Sequence, residues 1–127
     1  MNILDDLKYT REHEWIRVEG DLAKVGITDY AQSQMGDIVF VDVQTVGEML
    51  EKGESLGSIE AVKTVEEIYM PVSGKIVEFN EKLSENADLL NKDPYGEGWI
   101  VKISLTDPLE INDLLDAQSY RTFIESL

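Results

Sequence analysis

The sequence predicts a mainly β domain that ends in a helical segment, and three observations support this prediction. Over residues 8–105, short runs of alternating apolar and polar residues are separated by turns rich in glycine. From Asp107 onward, the apolar residues change to helical spacing. The stretches that begin at Gly36 and Gly74 are also weakly similar, which would give two related β halves packed as a small sandwich or flattened barrel. We expect one domain, 1–127, with a β body over about 8–105 and a helical segment over about 107–127.

The first elements are a hairpin and a short helix. The stretch "EWIRVEGDLAKVGIT" alternates on both sides of Gly20-Asp21, a pair that favours a tight turn. In "TDYAQSQMG", Thr28 or Asp29 is a suitable N-cap, and Gly36 is a suitable residue to end the helix.

Further strands follow from the same alternation. "DIVFVDVQ" predicts a strand with Val39, Val41 and Val43 on one side. "TVEEIYM" and "GKIVEFN" predict two strands separated by the turn residues 71–74. After the turn-rich segment "SENADLLNKDPYGEG", the stretch "GWIVKISL" predicts a last strand.

The C-terminal segment has a helix start signal. Asp107 is an N-cap candidate, Pro108 fits the first helical position, and Glu110 fits the capping-box position. We expect one or two helices here, with a break near residues 119–120.

Composition excludes several classes of function. With 26 acidic and 11 basic residues, the net charge of −15 opposes binding to nucleic acid or to an anionic membrane surface. No apolar run approaches the roughly 20 residues that cross a bilayer. The absence of cysteine excludes thiolate metal sites and disulfides, and the single histidine, His13, leaves no basis for a multi-histidine metal site. The acidic N-terminal stretch is unlike a signal or transit peptide, so we expect a cytoplasmic location. The acidity of the whole chain favours a monomer.

One lysine stands out between two predicted strands. In "GSIEAVKTVEEIYMPVSGKI", residues 61–64 form the expected tight turn, and Lys63 lies at its tip. An exposed amine near carboxylates stays protonated, which is unsuitable for Schiff-base chemistry but suitable for modification by another enzyme. From spacing alone, a solvated turn lysine without a function is the favoured interpretation.

The motifs together resemble the glycine cleavage H-protein family. The matching stretches are "HEW", "VGITDYAQSQMGDIVFVDV", "IEAVKTVEEIYMPVSGKIVEFN" and "LLNKDPYGEGWIVKI", in this order. The resemblance implies the lipoyl/biotinyl hammerhead fold, with Lys63 at the position of the family's lipoylated lysine. Biotin carriers usually have methionine on both sides of the lysine, whereas Val62 and Thr64 stand here. Lipoyl domains of 2-oxo acid dehydrogenases usually carry Asp-Lys-Ala and lack "HEW".

The resemblance implies a carrier in glycine catabolism and not an enzyme. Lipoate, attached covalently to Lys63, would carry an aminomethyl group from the pyridoxal-phosphate-dependent glycine decarboxylase (P protein) to the folate-dependent aminomethyltransferase (T protein). Dihydrolipoamide dehydrogenase (L protein) would then reoxidise the arm. A lipoate ligase or an octanoyl/lipoyl transferase would install it.

The resemblance also assigns residues. Glu60 and Gly74 match positions that the attaching enzyme needs, although Gly74 also fits a turn after Pro71 that only glycine tolerates. Glu14 and Glu67 match the cleft that holds the loaded arm, where carboxylates suit a cationic amine. Glu67 could equally be a solvated strand carboxylate.

Three other residues are assigned on weaker grounds. The matching position of Glu12 carries a small hydroxyl residue in plant-type members, which leaves a cleft contact there open. His13 is interpreted as structural, and Trp15 and Trp99 as core residues.

Two further functions stay open at this point. The chain could donate its lipoyl group to 2-oxo acid dehydrogenase subunits, or it could be an unmodified acidic adaptor.

Overall fold

The structure is a computed structural model that describes all residues, 1–127. In chain order, its strands are β1 Lys8–Tyr9, β2 Glu14–Glu19, β3 Leu22–Ile27, β4 Ile38–Asp42, β5 Met49–Leu50, β6 Ser55–Ala61, β7 Val65–Tyr69, β8 Gly74–Phe79 and β9 Val101–Leu105. Its α-helices are α1 Asp29–Met35, α2 Leu89–Lys92 and α3 Ala117–Glu125, and two 3-10 helices cover Glu81–Ser84 and Pro108–Asp113.

The strands form two antiparallel sheets that do not close into a barrel. One sheet has six strands in the order β1-β2-β3-β9-β8-β5, and the other has three in the order β4-β6-β7. The mainly β fold class expected from the sequence is thereby confirmed.

The main core lies between the two sheets. Its 19 buried residues include Val25 and Ile103 of the larger sheet and Ile59 and Ile68 of the smaller one. Burial of this apolar surface is the main favourable contribution to folding. It also fixes β6 and β7 beneath the turn that joins them.

A second, smaller core ties both ends of the chain to the larger sheet. Its six buried residues are Leu7, Tyr9, Trp15, Tyr95, Ala117 and Tyr120. Tyr9 and Tyr120 stack with ring centroids 4.6 Å apart. Helix α3 is therefore packed on the β body, as the sequence predicts. No helix of the structure is long and apolar enough to span a bilayer.

The predicted face of β4 is wrong. Val41 is buried, but Val39 is 53% exposed. A bulge between Ile38 and Phe40 shifts the register against β6, and an extra residue in one strand breaks the two-residue alternation.

The predicted break in the C-terminal segment is also misplaced. Asp107 caps the 3-10 helix Pro108–Asp113 as expected, but the chain leaves the helical conformation at Leu114 and re-enters it after the N-cap Asp116. Asp116 accepts a hydrogen bond from the Ser119 N–H at 2.8 Å, so Ser119 lies inside the first turn of α3.

Glu110 does not form a capping box. Its carboxylate instead accepts hydrogen bonds from the N–H and the hydroxyl of Ser73, at 2.6 and 3.1 Å. The Glu110 side chain thus forms a tertiary contact with Ser73 and not the local capping box.

The two glycines of the sequence echo have different functions. Gly36 ends α1 with φ 77°, a backbone conformation that favours glycine. Gly74 has no positive φ and begins strand β8. The echo therefore does not reflect equivalent backbone positions.

Candidate functional site

Lys63 lies at the tip of the β6–β7 hairpin. The Ala61 N–H donates to the Thr64 carbonyl at 2.8 Å and closes the turn. The Val62 N–H donates to the Asp37 carbonyl at 3.0 Å, which ties the tip to the residues before β4. The Lys63 side chain is exposed, and no carboxylate lies within 4.0 Å of its amine. The lysine is thus held by a stiff backbone while its amine remains free.

The aliphatic part of Lys63 passes close to the end of α1. A Cβ placed on Gly36 would lie 3.4 Å from Cε of Lys63 and 3.9 Å from Nζ. The Lys63 side chain therefore lies beside the C-terminal end of α1. This helix also forms one wall of the neighbouring cleft.

The cleft has a volume of about 360 Å³ and lies between α1 and β7. Thr64, the residue after the lysine, lines it, and so do Tyr30, Gln34 and Met35 of α1. The far end is formed by residues 12–14, which come from a distant part of the sequence. A flexible group attached to Lys63 would reach this cleft directly.

Four carboxylates line the cleft, and no lysine or arginine does. They are Glu12, Glu14, Glu66 and Glu67. Only Glu14 is buried, whereas the other three are exposed. The concentration of negative charge in a concave site favours a small cation.

Glu14 is held inside the protein by two hydrogen bonds. The Thr10 hydroxyl donates to Oε1 at 2.6 Å, and the Tyr69 N–H donates to Oε2 at 3.2 Å. Its exposure is 2%. Burial raises the pKa of Glu14 to about 7, and these two hydrogen bonds oppose that rise. The group is therefore poised to exchange its proton near neutral pH.

His13 lies at the cleft wall and is held by the C-terminal helix. Its Nδ1 is 2.8 Å from the Tyr120 hydroxyl, which is also 2.7 Å from the Thr28 hydroxyl. Its ring packs 4.8 Å from that of Tyr30, and its φ of 70° is unusual for a residue other than glycine. Burial lowers the pKa of His13, which favours the neutral ring. These contacts are consistent with a structural residue.

The helix wall of the cleft and the contact of α3 with His13 were not predicted from the sequence. Tyr30, Gln34 and Glu66 have no sequence signal of their own. Glu66 and Glu67 are neighbours in a strand and would be assigned to opposite faces, yet both reach the cleft because β7 is an edge strand.

Glu60 and Gly74 lie in different surroundings. Glu60 is exposed on β6, three residues before the lysine. Gly74 is buried beyond the opposite end of β7, where it pairs with Leu50. A Cβ at Gly74 would lie 2.7 Å from the Ser104 carbonyl oxygen, so close strand approach, and not a positive φ, requires glycine. The turn explanation for Gly74 is thus wrong.

The two tryptophans also differ. Trp15 is fully buried, and its indole N–H donates to the Pro94 carbonyl at 3.0 Å. Trp99 is only partly buried, and the amines of Lys24 and Lys102 lie 5.6 and 5.3 Å from its ring centroid. Trp15 is therefore a core residue, whereas Trp99 packs against the edge of the smaller core.

A free lysine on a rigid hairpin, with a cleft that opens at its base, is the arrangement of a swinging-arm carrier. Together with the two packed antiparallel sheets, this arrangement defines the protein as a carrier domain of the lipoyl/biotinyl class. Comparison with known proteins narrows this class. The family model described as "Glycine cleavage H-protein" matches residues 7–127. The chain belongs to the glycine cleavage H-protein family.

Individual relatives support the same assignment. The glycine cleavage system H protein of Bacteroides thetaiotaomicron is 60% identical over 124 residues, covering 98% of both chains. That of Symbiobacterium thermophilum is 54% identical over 122 residues, covering 96% of this chain and 95% of its own. The crystal structure of the Mycobacterium marinum protein superimposes with a TM-score of 0.88 at 38% identity, covering 98% of this chain and 100% of its own.

The family assignment confirms the function expected from the resemblance. H proteins are non-catalytic lipoyl carriers of the glycine cleavage system, and they work with the other components of that system. The chain is therefore a carrier and not an enzyme.

Proposed function

We propose that lipoate is attached to the amine of Lys63 and carries an aminomethyl group between the enzymes of glycine cleavage. The donor is the pyridoxal-phosphate-dependent glycine decarboxylase, and the acceptor is the folate-dependent aminomethyltransferase. Dihydrolipoamide dehydrogenase reoxidises the arm. The observation that carries this proposal is the exposed Lys63, which forms no ion pair on its rigid hairpin.

The residues at the tip fit such a group. An amide at Nζ removes the lysine charge, and no carboxylate within 4.0 Å of the amine would be left without a partner. When bound, the group supplies a disulfide that accepts electrons and cargo. The hairpin supplies a fixed anchor, which raises the effective concentration of the arm at any active site where the protein docks.

The cleft gives the cargo a place away from bulk water. We assign Glu14 and Glu67 to contact the cationic amine of the cargo, and Glu12 and Glu66 add negative charge. Because the pKa of Glu14 is about 7, a cation beside it favours release of its proton and strengthens the contact.

The attaching enzyme is a lipoate ligase or an octanoyl/lipoyl transferase. The exposure of the Glu60 carboxylate, three residues before Lys63, supports a contact with this enzyme. Gly74 is buried, so its part in recognition would be indirect, through the path of strand β8.

The experiment combines intact mass with glycine–bicarbonate exchange. Incubation with a lipoate ligase, ATP and lipoate should add about 188 Da, the mass of one lipoyl amide. The loaded protein should support exchange of labelled bicarbonate into glycine by the decarboxylase. Lys63→Arg should fold normally, because the tip is exposed, but gain no mass and support no exchange.

Lys52→Arg is the matched control, since Lys52 is also an exposed turn lysine. It should behave like the unmodified sequence. Attachment that persists in Lys63→Arg would refute the site. A correctly lipoylated protein that supports no exchange would instead favour donation to 2-oxo acid dehydrogenase subunits, and a chain that accepts no lipoate would favour the unmodified adaptor. The monomeric state and the cytoplasmic location stay predictions.

A further inference from the structure

Four large apolar side chains are exposed around the lysine hairpin. Val62 is 77% exposed, Val65 63%, Val39 53% and Phe40 50%. We call these four residues the tip patch. Phe40 is also the only exposed aromatic residue of the chain. Single exposed apolar residues need no explanation, but a group of them around one functional residue suggests an interaction surface.

The strand register places two of these side chains, those of Phe40 and Val65, on one face. Phe40 of β4 and Val65 of β7 both pair with Glu60 of β6, and residues directly opposite each other in a sheet share a face. Across strands β4, β6 and β7, the neighbouring side chains on this face are therefore Phe40, Glu60 and Val65. A single carboxylate thus lies between two apolar groups.

The bulge in β4 enlarges this apolar face. It sets Val39 as an extra residue beside Phe40, so two apolar residues oppose the one position of Glu60. The hydrogen bond from Val62 to Asp37, at 3.0 Å, holds the turn against the start of the same strand. The tip patch thus adjoins Lys63 on a rigid support.

We propose that the tip patch is the docking surface for the enzyme that acylates Lys63. The matching partner surface is apolar and carries one cationic side chain opposite Glu60. This inference rests on the proposed function, and it names the partner of the same lysine.

The distance from Lys63 at which each partner enzyme must act favours the attaching enzyme as the partner that contacts the tip patch. An enzyme that acylates Nζ must bring its reactive carbon to the amine, so its surface must touch the residues beside Lys63. Enzymes that act on the far end of the attached arm can stay on the order of 10 Å away, given a chain of several bonds of about 1.5 Å each. Contact with Val62 and Val65 is therefore obligatory only for attachment. Charge is complementary as well, because Glu60 attracts a cation and repels the anionic surface of a second copy of this acidic chain.

The covalent step itself balances with ATP as co-substrate. ATP and lipoate give an acyl adenylate and pyrophosphate. The Nζ–C amide bond then forms, the bond from that carbon to AMP breaks, and the amine releases its protons to water.

The test compares attachment with use of the arm. The double variant Val62→Thr/Val65→Thr keeps side-chain shape and β propensity on an exposed face while adding hydroxyl groups. We expect kcat/KM for attachment by a lipoate ligase to fall by about tenfold or more, as lost apolar burial at an interface predicts. Phe40→Thr should show a loss of similar size. The same variants, lipoylated to completion by long incubation, should support glycine–bicarbonate exchange at the unmodified rate.

Val77→Thr is the matched control, because Val77 is a 39% exposed strand residue in the other sheet. It should change neither rate, and thermal unfolding should show that all variants are folded. Unchanged attachment in the tip-patch variants would overturn the inference. An equal loss of attachment and exchange would also overturn it, by assigning the patch to the decarboxylase as well. Neither result would refute the proposed function, which is tested separately by attachment to Lys63→Arg and by exchange with the lipoylated unmodified sequence.

Discussion

At the residue scale, Glu14 is a carboxyl group that the fold keeps out of water. Burial raises its pKa to about 7 from 4.5, so the folded state holds a proton that the unfolded chain has lost between these pH values. Proton uptake by the folded state means that the free energy of unfolding falls as pH rises through this window. The contribution from Glu14 is on the order of 3 kcal/mol.

The variant Glu14→Gln should remove this pH dependence. We expect the unfolding free energy of the original protein, minus that of the variant, to decrease from pH 5 to pH 8 in urea titrations. His13 acts in the opposite direction because burial lowers its pKa, and the subtraction cancels its effect. Glu67→Gln, at an exposed site, is the matched control for loss of a cleft carboxylate that is not buried. Parallel profiles for Glu14→Gln and the original protein would contradict the raised pKa.

Gly74 shows how far the sequence predicts single residues. Its need for glycine was foreseen from the turn residues before it, but the reason lies in the Ser104 carbonyl of a strand 30 positions further on. A contact between such distant positions has no local signal. The position of Lys63 was easier to predict, because it depends only on two adjacent strands and their turn.

At the element scale, local patterns identified most strands but not their irregularities. The hairpin at Gly20-Asp21, helix α1 and the strands around Lys63 follow from alternation and capping residues. The bulge in β4 could not be foreseen, because it is defined by register against β6 and not by the residues of β4 alone. The side chain of Glu110 likewise accepts a hydrogen bond from its tertiary partner Ser73 and does not cap its own helix.

Helix α3 stabilises the cleft through one hydroxyl group. The Tyr120 hydroxyl lies 2.8 Å from Nδ1 of His13 and 2.7 Å from the buried Thr28 hydroxyl. Tyr120→Phe leaves these groups without that partner, and we expect a loss of about 1–3 kcal/mol in the free energy of unfolding. Urea denaturation measures this loss.

Tyr30→Phe is the control for this variant. Tyr30 lines the cleft, and its hydroxyl has no side-chain partner. Its removal should change the free energy of unfolding by less than about 0.5 kcal/mol. Equal stability of the two variants would show that the hydroxyl of Tyr120 does not hold α3 to the cleft.

At the scale of the whole molecule, the candidate site joins segments that are far apart in the chain. Residues 12–14, helix α1 and strand β7 meet only because the two sheets pack together. Composition and periodicity predict each of these segments, but they do not predict that the segments come together in the fold. The resemblance to a family supplied Glu14 and Glu67, which physical reasoning from the sequence alone would have left as two of 26 acidic residues.

The same acidity predicts how the molecule responds to salt. The net charge is −15, and only four ion pairs lie within 4.0 Å, so most carboxylates repel one another without local compensation. Raising NaCl from about 0.02 M to about 0.5 M shortens the Debye length from roughly 20 Å to roughly 4 Å. We therefore expect Tm to rise over this range.

A charge variant separates screening from general salt effects. Changing Glu48, Glu51, Glu85 and Glu125 to glutamine takes the net charge from −15 to −11, at exposed sites whose side chains form no hydrogen bond or ion pair. Reduced repulsion should raise Tm at low salt and make the response to NaCl smaller, as differential scanning calorimetry would measure. If both proteins gain the same Tm from salt, the stabilisation comes from exclusion of the salt from the protein surface and not from screening of its charge.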